Sequence, residues 1–534
     1  MAFGPLHAAA FCGCCPSPRF PRLRGAPERP ELSIFNLREL DPDVPHRSPA
    51  ATTKIPRGAH IHFPIDLLPV DPSSTFGAQN HRMTDSDSFG SILVDDVLLR
   101  IFSFSDIRSV LLASQTNRRI YNLVFSKQVW LALLSDLHAR NFVDLFPGQR
   151  LHDVSTDGLV DLAKRVALGP RSWLASHYSG PTLARKIVLN VNISADPDAH
   201  FWVTAVKMLS GGQFCLLSRA GTLECWDLVE SKVIWIYQGN RSKPFWITQF
   251  AAEVVEQGRS VLIVLGVRVR GDIRQNSVEI ISLNLRGGFF NTLALHQTPI
   301  STIDNAFSRV KICSDVAMIG LDYPQGTLLL RISTGTCTVL NMSQGYSVDL
   351  IPGHLIVMQM GISPTTYDIK FWSIQALLDS QSDGVTFIDA ISPTAVLSLT
   401  DLSASRFRLS AHRSPLCAES SILWVHMAPI THGPYAVRKY SVSHSKSEQL
   451  SIHSISESFT ETAHSIPDVD SISFAGYARS HSFEEHKDRI VCLSEGAERH
   501  VVDLPDPLQH VYFSPYSCAM AYPTRQNIVV DYYL

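Results

Sequence analysis

Residues 221–228 read GTLECWDL. Glycine opens the segment, apolar and polar residues then largely alternate, and an aromatic–acidic pair stands near its end. Alternation with a period of two is typical of a strand that buries one face, and a glycine in front of it marks a turn. We therefore predict a short strand that starts at a tight turn.

The same kind of segment recurs from residue 185 to residue 534. Short runs of strand-type composition are separated by Gly, Pro, Asn, Asp and Ser, and helical spacing is nearly absent apart from residues 374–379. Many short strands with regular turn signals indicate a sandwich, a barrel or a propeller. The predicted strands lie at residues 186–193, 212–217, 221–228, 260–269, 278–285, 327–332, 369–374, 436–442, 489–493 and 527–532.

The spacing of these strands favours the propeller. Comparable strand ends, marked by residues such as Trp226, Trp372 and Val530, recur about every 50 residues, which is the length of one propeller blade. Residues 221–228 also resemble the Trp-Asp end of a WD-type repeat, and residues 370–374 (KFWSI) are a weaker copy. We predict a propeller-like domain of about seven degenerate blades over residues 185–534. Another large all-β fold is the alternative.

Residues 1–85 differ from the rest of the chain, because residues 1–82 hold 13 of its 31 prolines. Each proline removes a backbone donor and fixes φ, so this density excludes long helices and interior strands. We predict a disordered tail. Two alternatives stay open: an organelle transit peptide, since no acidic residue precedes Glu28, or a gene-model extension if translation starts at Met83.

Between residues 91 and 180 the apolar residues change to helical spacing. Val97, Leu98, Ile101 and Phe102 fall on one helix face, behind two acidic residues that suit a helix start. Further helices are predicted at residues 107–113, 118–124, 130–137 and 157–168. The predicted fold class is therefore α+β multidomain, with a small all-α module followed by a large all-β domain.

Residues 93–104, LVDDVLLRIFSF, carry the most specific pattern in the chain. Residues 106–108 lead into the second predicted helix, Arg118 and Arg119 begin the third, and Trp130 closes the pattern. This arrangement resembles the F-box.

The F-box would span residues 88–135 and be followed by a helical linker over residues 136–184. The sequence departs from the family at three places. Val94 stands where proline is usual, Asn117 stands where cysteine or serine is frequent, and Tyr121 lies one residue from the usual tryptophan.

The resemblance implies a role in ubiquitin ligation. F-box families dock onto a Skp-type adaptor, which links them to a cullin, while a second domain binds the substrate protein. The adaptor interface implied in this chain comprises Leu93, Val97, Leu98, Ile101, Phe102, Phe104, Leu111, Tyr121 and Trp130. Aspartate at both Ile101 and Phe102 is predicted to abolish adaptor capture. Periodicity alone favours the alternative that this face packs inside its own chain.

Composition excludes several other classes. The 534 residues hold 46 basic and 49 acidic side chains, a formal net charge of -3, which argues against a general nucleic-acid binder and against a polybasic membrane-surface protein. No apolar run approaches the ~20 residues that cross a bilayer. The 10 cysteines show no disulfide spacing, which is typical of cytoplasmic or nuclear proteins.

The chemistry-bearing motifs are weak. Residues 209–213, LSGGQ, resemble the signature loop of ABC transporter ATPases, but the sequence has no Gly-Lys dipeptide, so a turn between two strands is favoured. The cysteines at positions 12, 14 and 15 lack a second ligand pair at zinc spacing. No catalytic, cofactor or metal residues are predicted.

Arg268, Arg270 and Arg274 form the densest basic spot of the β region. Arg268 and Arg270 alternate with valines and would share one strand face, where they could contact an anion or a phosphorylated degron. An exposed strand face near a turn is the favoured interpretation.

These patterns lead to one function hypothesis and two alternatives. The hypothesis is a substrate receptor of an SCF-type ubiquitin ligase with no active site, whose protein substrate the sequence does not identify. The first alternative is a non-catalytic scaffold that does not recruit a cullin. The second is a propeller enzyme, which would need convergent carboxylates or a metal site.

Overall fold

The computed structural model describes residues 93–168 and, from residue 182 to residue 533, the strands and most of the turns between them. The predicted tail over residues 1–85, the alternative start at Met83, and Arg270 and Arg274 lie outside the described residues.

The first described region is a helical module. It contains α1 (Asp95–Ser103), α2 (Ile107–Ser114), α3 (Arg118–Val124), α4 (Lys127–Ala139) and, after a 3-10 turn at Leu151–Asp153, α5 (Thr156–Leu168). α1 packs against α3 and α4, α2 against α3, and α4 against α5. The core between them holds aliphatic side chains from each helix together with Phe102 and Trp130.

Two local capping residues explain where α2 and α3 begin. Asp106 precedes α2, and its carboxylate accepts hydrogen bonds from the Ser109 backbone N–H (2.8 Å) and the Ser109 hydroxyl (2.7 Å). Asn117 precedes α3, and its side-chain oxygen accepts a hydrogen bond from the Ile120 backbone N–H at 2.9 Å. Both side chains satisfy a donor that a helix start leaves without an intrahelical partner.

The β domain consists of short antiparallel sheets that follow one another along the chain. The strands of its first half are β1 (Leu183–Asn190), β2 (Val203–Met208), β3 (Phe214–Arg219), β4 (Thr222–Asp227), β5 (Lys232–Tyr237), β6 (Phe245–Val255), β7 (Ser260–Val269), β8 (Gln275–Asn284), β9 (Phe290–Thr298), β10 (Phe307–Cys313), β11 (Val316–Asp322), β12 (Gln325–Arg331) and β13 (Cys337–Asn341).

The second half contains one helix, α6 (Ile374–Asp379), between strands. Its strands are β14 (Tyr346–Ile351), β15 (His354–Met360), β16 (Tyr367–Ser373), β17 (Val385–Phe387), β18 (Ala395–Leu399), β19 (Ala404–Arg413), β20 (Ser420–Pro429), β21 (Tyr435–His444), β22 (Leu450–Thr460), β23 (Ile472–Ser473), β24 (Ala478–Glu484), β25 (Lys487–Leu493), β26 (His500–Asp503), β27 (Tyr512–Phe513), β28 (Ala519–Pro523) and β29 (Asn527–Tyr533).

Within the described part of the chain these strands form seven sheets, which we call blades 1 to 7. Blades 1 to 6 begin with β2, β6, β10, β14, β19 and β23. In most of them, consecutive strands pair antiparallel as a meander. Two strands depart from this order: β17 pairs in parallel with β13 of blade 3, and β18 pairs with β16 of blade 4. Blade 7 contains β27, β28 and β29, and β1 completes it by pairing antiparallel with β29. The first strand of the domain is thus held by the last one, which closes the series.

The blades are arranged as a ring around an axis. The strand that begins each blade contacts its counterpart in a neighbouring blade: β2 with β27, β6 with β10, β10 with β14, β14 with β19, and β19 with β23. We call these the inner strands. Apolar clusters fill the space between blades 1 and 2, 2 and 3, 3 and 4, 4 and 5, and 7 and 1. The α+β fold class, with a helical module before a propeller-like β domain, is confirmed.

Candidate functional site

Helix α1 has two faces with different surroundings. Leu98 and Phe102 point into the helical module and are each 7 % exposed, whereas Val97 and Ile101 are 43 % and 47 % exposed. Val94 and Phe104 continue the exposed stripe at helical spacing, and their exposed fractions are 63 % and 77 %. We call Val94, Val97, Ile101 and Phe104 the outer patch.

The outer patch borders an open surface groove with charged edges. The groove is lined by Val97, Ile101 and Phe104 together with Asp96 and Arg100. The Arg100 guanidinium lies 5.0 Å from the centre of the Phe104 ring, within the range of a cation–π contact. An apolar surface rimmed by polar residues is typical of a protein-docking site.

The start of α1 is tied to α3 by one arginine. Arg119 donates from Nη2 to the Leu93 carbonyl oxygen (2.8 Å) and, from Nε and Nη2, to Asp95 Oδ1 (3.0 and 2.7 Å). Both charged groups of this ion pair are about half exposed, so it contributes roughly 0–1 kcal/mol. Its main effect is to fix the orientation of the first turn of α1, and with it the outer patch.

The departures from the F-box pattern are compatible with the local geometry. Val94 precedes α1 with φ -70° and ψ 152°, a backbone conformation that proline would also adopt. Asn117 caps α3, as a serine in its place would do. The Tyr121 ring lies 4.6 Å from Phe125, and Phe125 lies 5.9 Å from Trp130, so Tyr121 extends an aromatic row from the surface to the core.

The structure divides the predicted adaptor interface. Val97, Ile101 and Phe104 lie on the outer patch, and Tyr121 is 39 % exposed. Leu93 and Leu111 are half-buried.

The other members of the predicted interface are buried. Leu98, Phe102 and Trp130 pack inside the helical module, with Trp130 fully buried, and their contact with an adaptor stays a prediction. A three-helix unit needs these side chains for its own core. Val94 and Leu112 are further exposed apolar side chains that the predicted interface does not include, and Leu112 is 48 % exposed.

A short segment after α4, residues 140–147, joins the helical module to the β domain. Asp144 is buried, and its carboxylate accepts hydrogen bonds from the Gly211 backbone N–H and the Ser514 hydroxyl. The Asn141 side-chain amide donates to the Val254 carbonyl oxygen (2.7 Å) and the Arg140 guanidinium to the Pro415 carbonyl oxygen (3.2 Å). We call residues 140–147 the bridging segment.

The bridging segment contacts the turn between β2 and β3, where the LSGGQ sequence lies. Gly211 and Gly212 have φ +98° and +71°, a left-handed conformation that favours glycine. A Cβ atom at Gly212 would clash with the Leu145 carbonyl oxygen. The predicted turn between two strands is therefore confirmed, and its glycines also allow the bridging segment to approach.

Arg268 lies on β7 and is 3 % exposed. β7 is the second strand of blade 2, with β6 and β8 on either side and the neighbouring blades packed against its faces. The expectation of an exposed strand face is therefore wrong for this residue. Contact of Arg268 with an anion or degron stays a prediction.

The described residues hold neither a cluster of metal-binding side chains nor a helix that could span a membrane. No group of three or more His, Cys, Asp or Glu side chains is placed there to hold a metal ion. No helix in the described part of the chain is long and apolar enough to span a membrane.

Comparison with known proteins bears directly on the helical module. Residues 91–132 match the family model of the F-box domain. The chain thus carries an F-box domain followed by a propeller-like β domain, an arrangement that suggests a protein-interaction adaptor. No curated protein sequence matches this chain.

Solved structures that resemble the chain include propeller domains. The crystal structure of the WD40 domain of SCAP from fission yeast is 8 % identical with a TM-score of 0.35, and the similarity covers 62 % of this chain and 84 % of that one. A crystal structure of the eukaryotic initiation factor is 10 % identical with a TM-score of 0.33, covering 64 % and 87 %. Chaetomium thermophilum Raptor is 9 % identical with a TM-score of 0.40, covering 82 % and 38 %. The propeller assignment here rests on the sheet topology.

Proposed function

We propose that this protein is the substrate-recognition subunit of an SCF-type E3 ubiquitin ligase. Its F-box docks onto a Skp-type adaptor, the adaptor links it to a cullin, and the β domain binds the target protein. The protein acts in the cytoplasm or the nucleus, without an active site, cofactor or metal of its own. It needs no nucleic-acid or membrane partner.

The outer patch is the observation that carries the proposal. It places four apolar side chains in solvent on the helix that opens the F-box match. Burying a large apolar side chain contributes about 1.5–3 kcal/mol, and a small cluster of such anchors dominates the affinity of a typical interface. The buried half of α1 holds the helix in place, which leaves the outer patch available to a partner.

The bridging segment supports the mechanism by which such a receptor works. Hydrogen bonds between residues 140–147 and three turns or strand ends hold the helical module on the β domain. A target bound to the β domain would therefore be held at a defined distance from the adaptor. Ubiquitin transfer then benefits from a raised effective concentration of the target near the charged enzyme.

The test is capture of a purified Skp-type adaptor by the full chain. The variant Ile101→Asp with Phe104→Asp places charges on the outer patch, and we expect it to lose capture. The control is Val396→Asp with Phe387→Asp, which changes the β domain at 50 % and 63 % exposed positions and should retain capture. Aspartate at Phe102 is not used in this test, because the side chain is buried and a buried charge there would destabilise α1.

Three outcomes are distinguishable. Loss of capture in the patch variant alone supports the docking proposal. Capture retained by the patch variant overturns the assignment of the outer patch. The cullin is then added to the captured complex. If the adaptor binds but no cullin is recruited, the ligase proposal is overturned and the scaffold is favoured.

A further inference from the structure

Charged side chains gather at one end of the inner strands. Lys207 is next to last in β2, Glu253 lies two residues before the end of β6, Lys311 two before the end of β10, and Arg413 is the last residue of β19. These strands belong to blades 1, 2, 3 and 5 and surround the same axis. We call these four residues the mouth cluster, because they lie where the inner strands end.

Hydrogen bonds across the axis show how closely these groups approach. The Lys311 ammonium group donates to the Asp349 carboxylate on β14 and to the Ala411 carbonyl oxygen on β19. The Arg413 guanidinium donates to the Ser314 hydroxyl, and the Ser314 backbone N–H donates to the Glu253 carboxylate at 3.1 Å. The first set of bonds joins blades 3, 4 and 5, and the second joins blades 2, 3 and 5.

The carboxylates of this network are already occupied. Asp349 is fully buried and accepts hydrogen bonds from Lys311, from Arg309 (3.1 Å), and from the Leu350 and Ala411 backbone N–H groups (each 2.7 Å). Burial alone would raise the pKa of Asp349, but Lys311 and Arg309 outweigh burial and hold that pKa below its usual value. Asp349 is thus an ionised partner for two cations.

Lys207 has no such partner. Within the part of the chain that the structure describes, its ammonium group makes no hydrogen bond or ion pair. Burial, with a smaller effect from Lys311, lowers the pKa of Lys207 to about 8, although Glu253 opposes both. Burial also raises the pKa of Glu253, despite Arg413 and the two lysines nearby. Among the described residues, this end of the inner strands therefore holds the cations Lys207, Arg309, Lys311 and Arg413 and the carboxylates Asp349 and Glu253.

We propose that the mouth cluster binds a small multivalent oxyanion of the phosphate type between Lys207, Lys311 and Arg413. Half-buried cations in excess over carboxylates are costly without a counter-ion. Arginine and lysine side chains that converge from several strands supply the charge-assisted donors that phosphate oxygens accept. Such an anion would satisfy the Lys207 ammonium group.

The bridging segment lies at the same end of the β domain. Asn141 donates to the carbonyl oxygen of Val254, the neighbour of Glu253, and Arg140 donates to the carbonyl oxygen of Pro415, two residues beyond Arg413. A bound anion would therefore lie near the junction of the helical module with the β domain. The inference stands independently of the adaptor and the ubiquitin ligase.

The experiment is a titration of the full chain with sodium phosphate and with sodium pyrophosphate, followed by thermal unfolding. Sodium chloride at matched ionic strength is the reference. We expect a saturable rise in the unfolding temperature with either phosphate salt, as binding to the folded state requires. Lys207→Met should raise the half-saturating concentration at least about tenfold, since one charge-assisted contact is lost. Arg286→Met removes a charge from an exposed turn and should leave the titration unchanged.

A second readout separates a binding role from a structural one. Because burial disfavours the charged form of Lys207, Lys207→Met should unfold at the same or a higher temperature than the parent chain when no anion is present. Phosphate signals in ³¹P NMR should broaden with the parent chain and not with this variant. An identical phosphate response in parent and variant, or a response that chloride reproduces, overturns the proposal.

Discussion

Replacement of Asp349 by asparagine tests the network that joins blades 3, 4 and 5. The carboxylate is fully buried between Lys311 and Arg309, whose side chains are 25 % and 31 % exposed. It also accepts the Ala411 backbone N–H, a donor on the inner edge of β19. Asparagine keeps the size of the side chain but removes the charge that balances two cations.

The expected loss follows from these contacts. Removing one partner of a buried ion pair costs about 3–5 kcal/mol, because the remaining charge stays uncompensated. Partial exposure lets Lys311 and Arg309 recover some hydration, and the asparagine oxygen can still accept one backbone N–H. We therefore expect Asp349→Asn to lower the free energy of unfolding of the β domain by about 3 kcal/mol.

Urea unfolding followed by tryptophan fluorescence measures this loss. Asp389→Asn is the control, since Asp389 is exposed and its change should stay within about 0.5 kcal/mol. The pH dependence provides a second check. The pKa of Asp349 is lowered in the folded state, so its contribution is complete above the unfolded value of 3.8 and is lost as the pH falls through the folded pKa.

The difference between parent and variant should accordingly stay constant from about pH 5 to pH 8 and shrink only below about pH 4. A loss under about 1 kcal/mol at neutral pH, or a difference that disappears already at pH 6, would refute the reasoning.

Two further changes test the junction and the F-box fold. Gly212→Ala should destabilise the contact with the bridging segment, because the new Cβ meets the Leu145 carbonyl oxygen at a positive φ, and faster proteolysis near residues 140–147 reports the effect. Gly335→Ala, with φ +71° and open space around it, is the control and should not change proteolysis there. Asn117→Ala removes the cap of α3 and should lower the stability of the helical module by about 1 kcal/mol, measured by thermal unfolding followed by circular dichroism. Asn117→Ser keeps a capping oxygen and should lose much less stability. Equal unfolding temperatures for the two variants would contradict the capping role.

The helices were predictable because their signals are local. Asp106 and Asn117 each stand directly before a helix and bond a backbone donor three residues ahead. The predicted helix at residues 118–124 and the short helix at residues 374–379 have the observed bounds. The strand at residues 260–269 was equally clear, since an apolar run flanked by turns is typical of a strand buried on both faces.

The division of α1 into two faces was not predictable from periodicity. Val97, Leu98, Ile101 and Phe102 form one wide apolar stripe in sequence, yet Leu98 and Phe102 enter the core and the other two remain exposed. Only the packing partners, α3 and α4, decide where the boundary of the core runs along that stripe. A single sequence does not show how closely α3 and α4 pack against α1.

The polar networks were beyond sequence reasoning for a related reason. Asp349 bonds Lys311 and Ala411 at separations of 38 and 62 residues, and Asp144 bonds Ser514 at a separation of 370. Such pairs form only when the blades pack against one another. Sequence reasoning placed Arg268 on an exposed strand face, whereas packing of the blades buries it and brings other charged residues to one axis.

Asp144 also connects the helical module to blades 1 and 7. The β2–β3 turn belongs to blade 1, and Ser514 follows β27 of blade 7, the blade in which β1 pairs with β29. If β1 were released from β29, blade 7 would lose its outer strand and Ser514 would lose its fixed position beside Asp144. The bridging segment is thus tied to both of the blades that meet where the propeller closes.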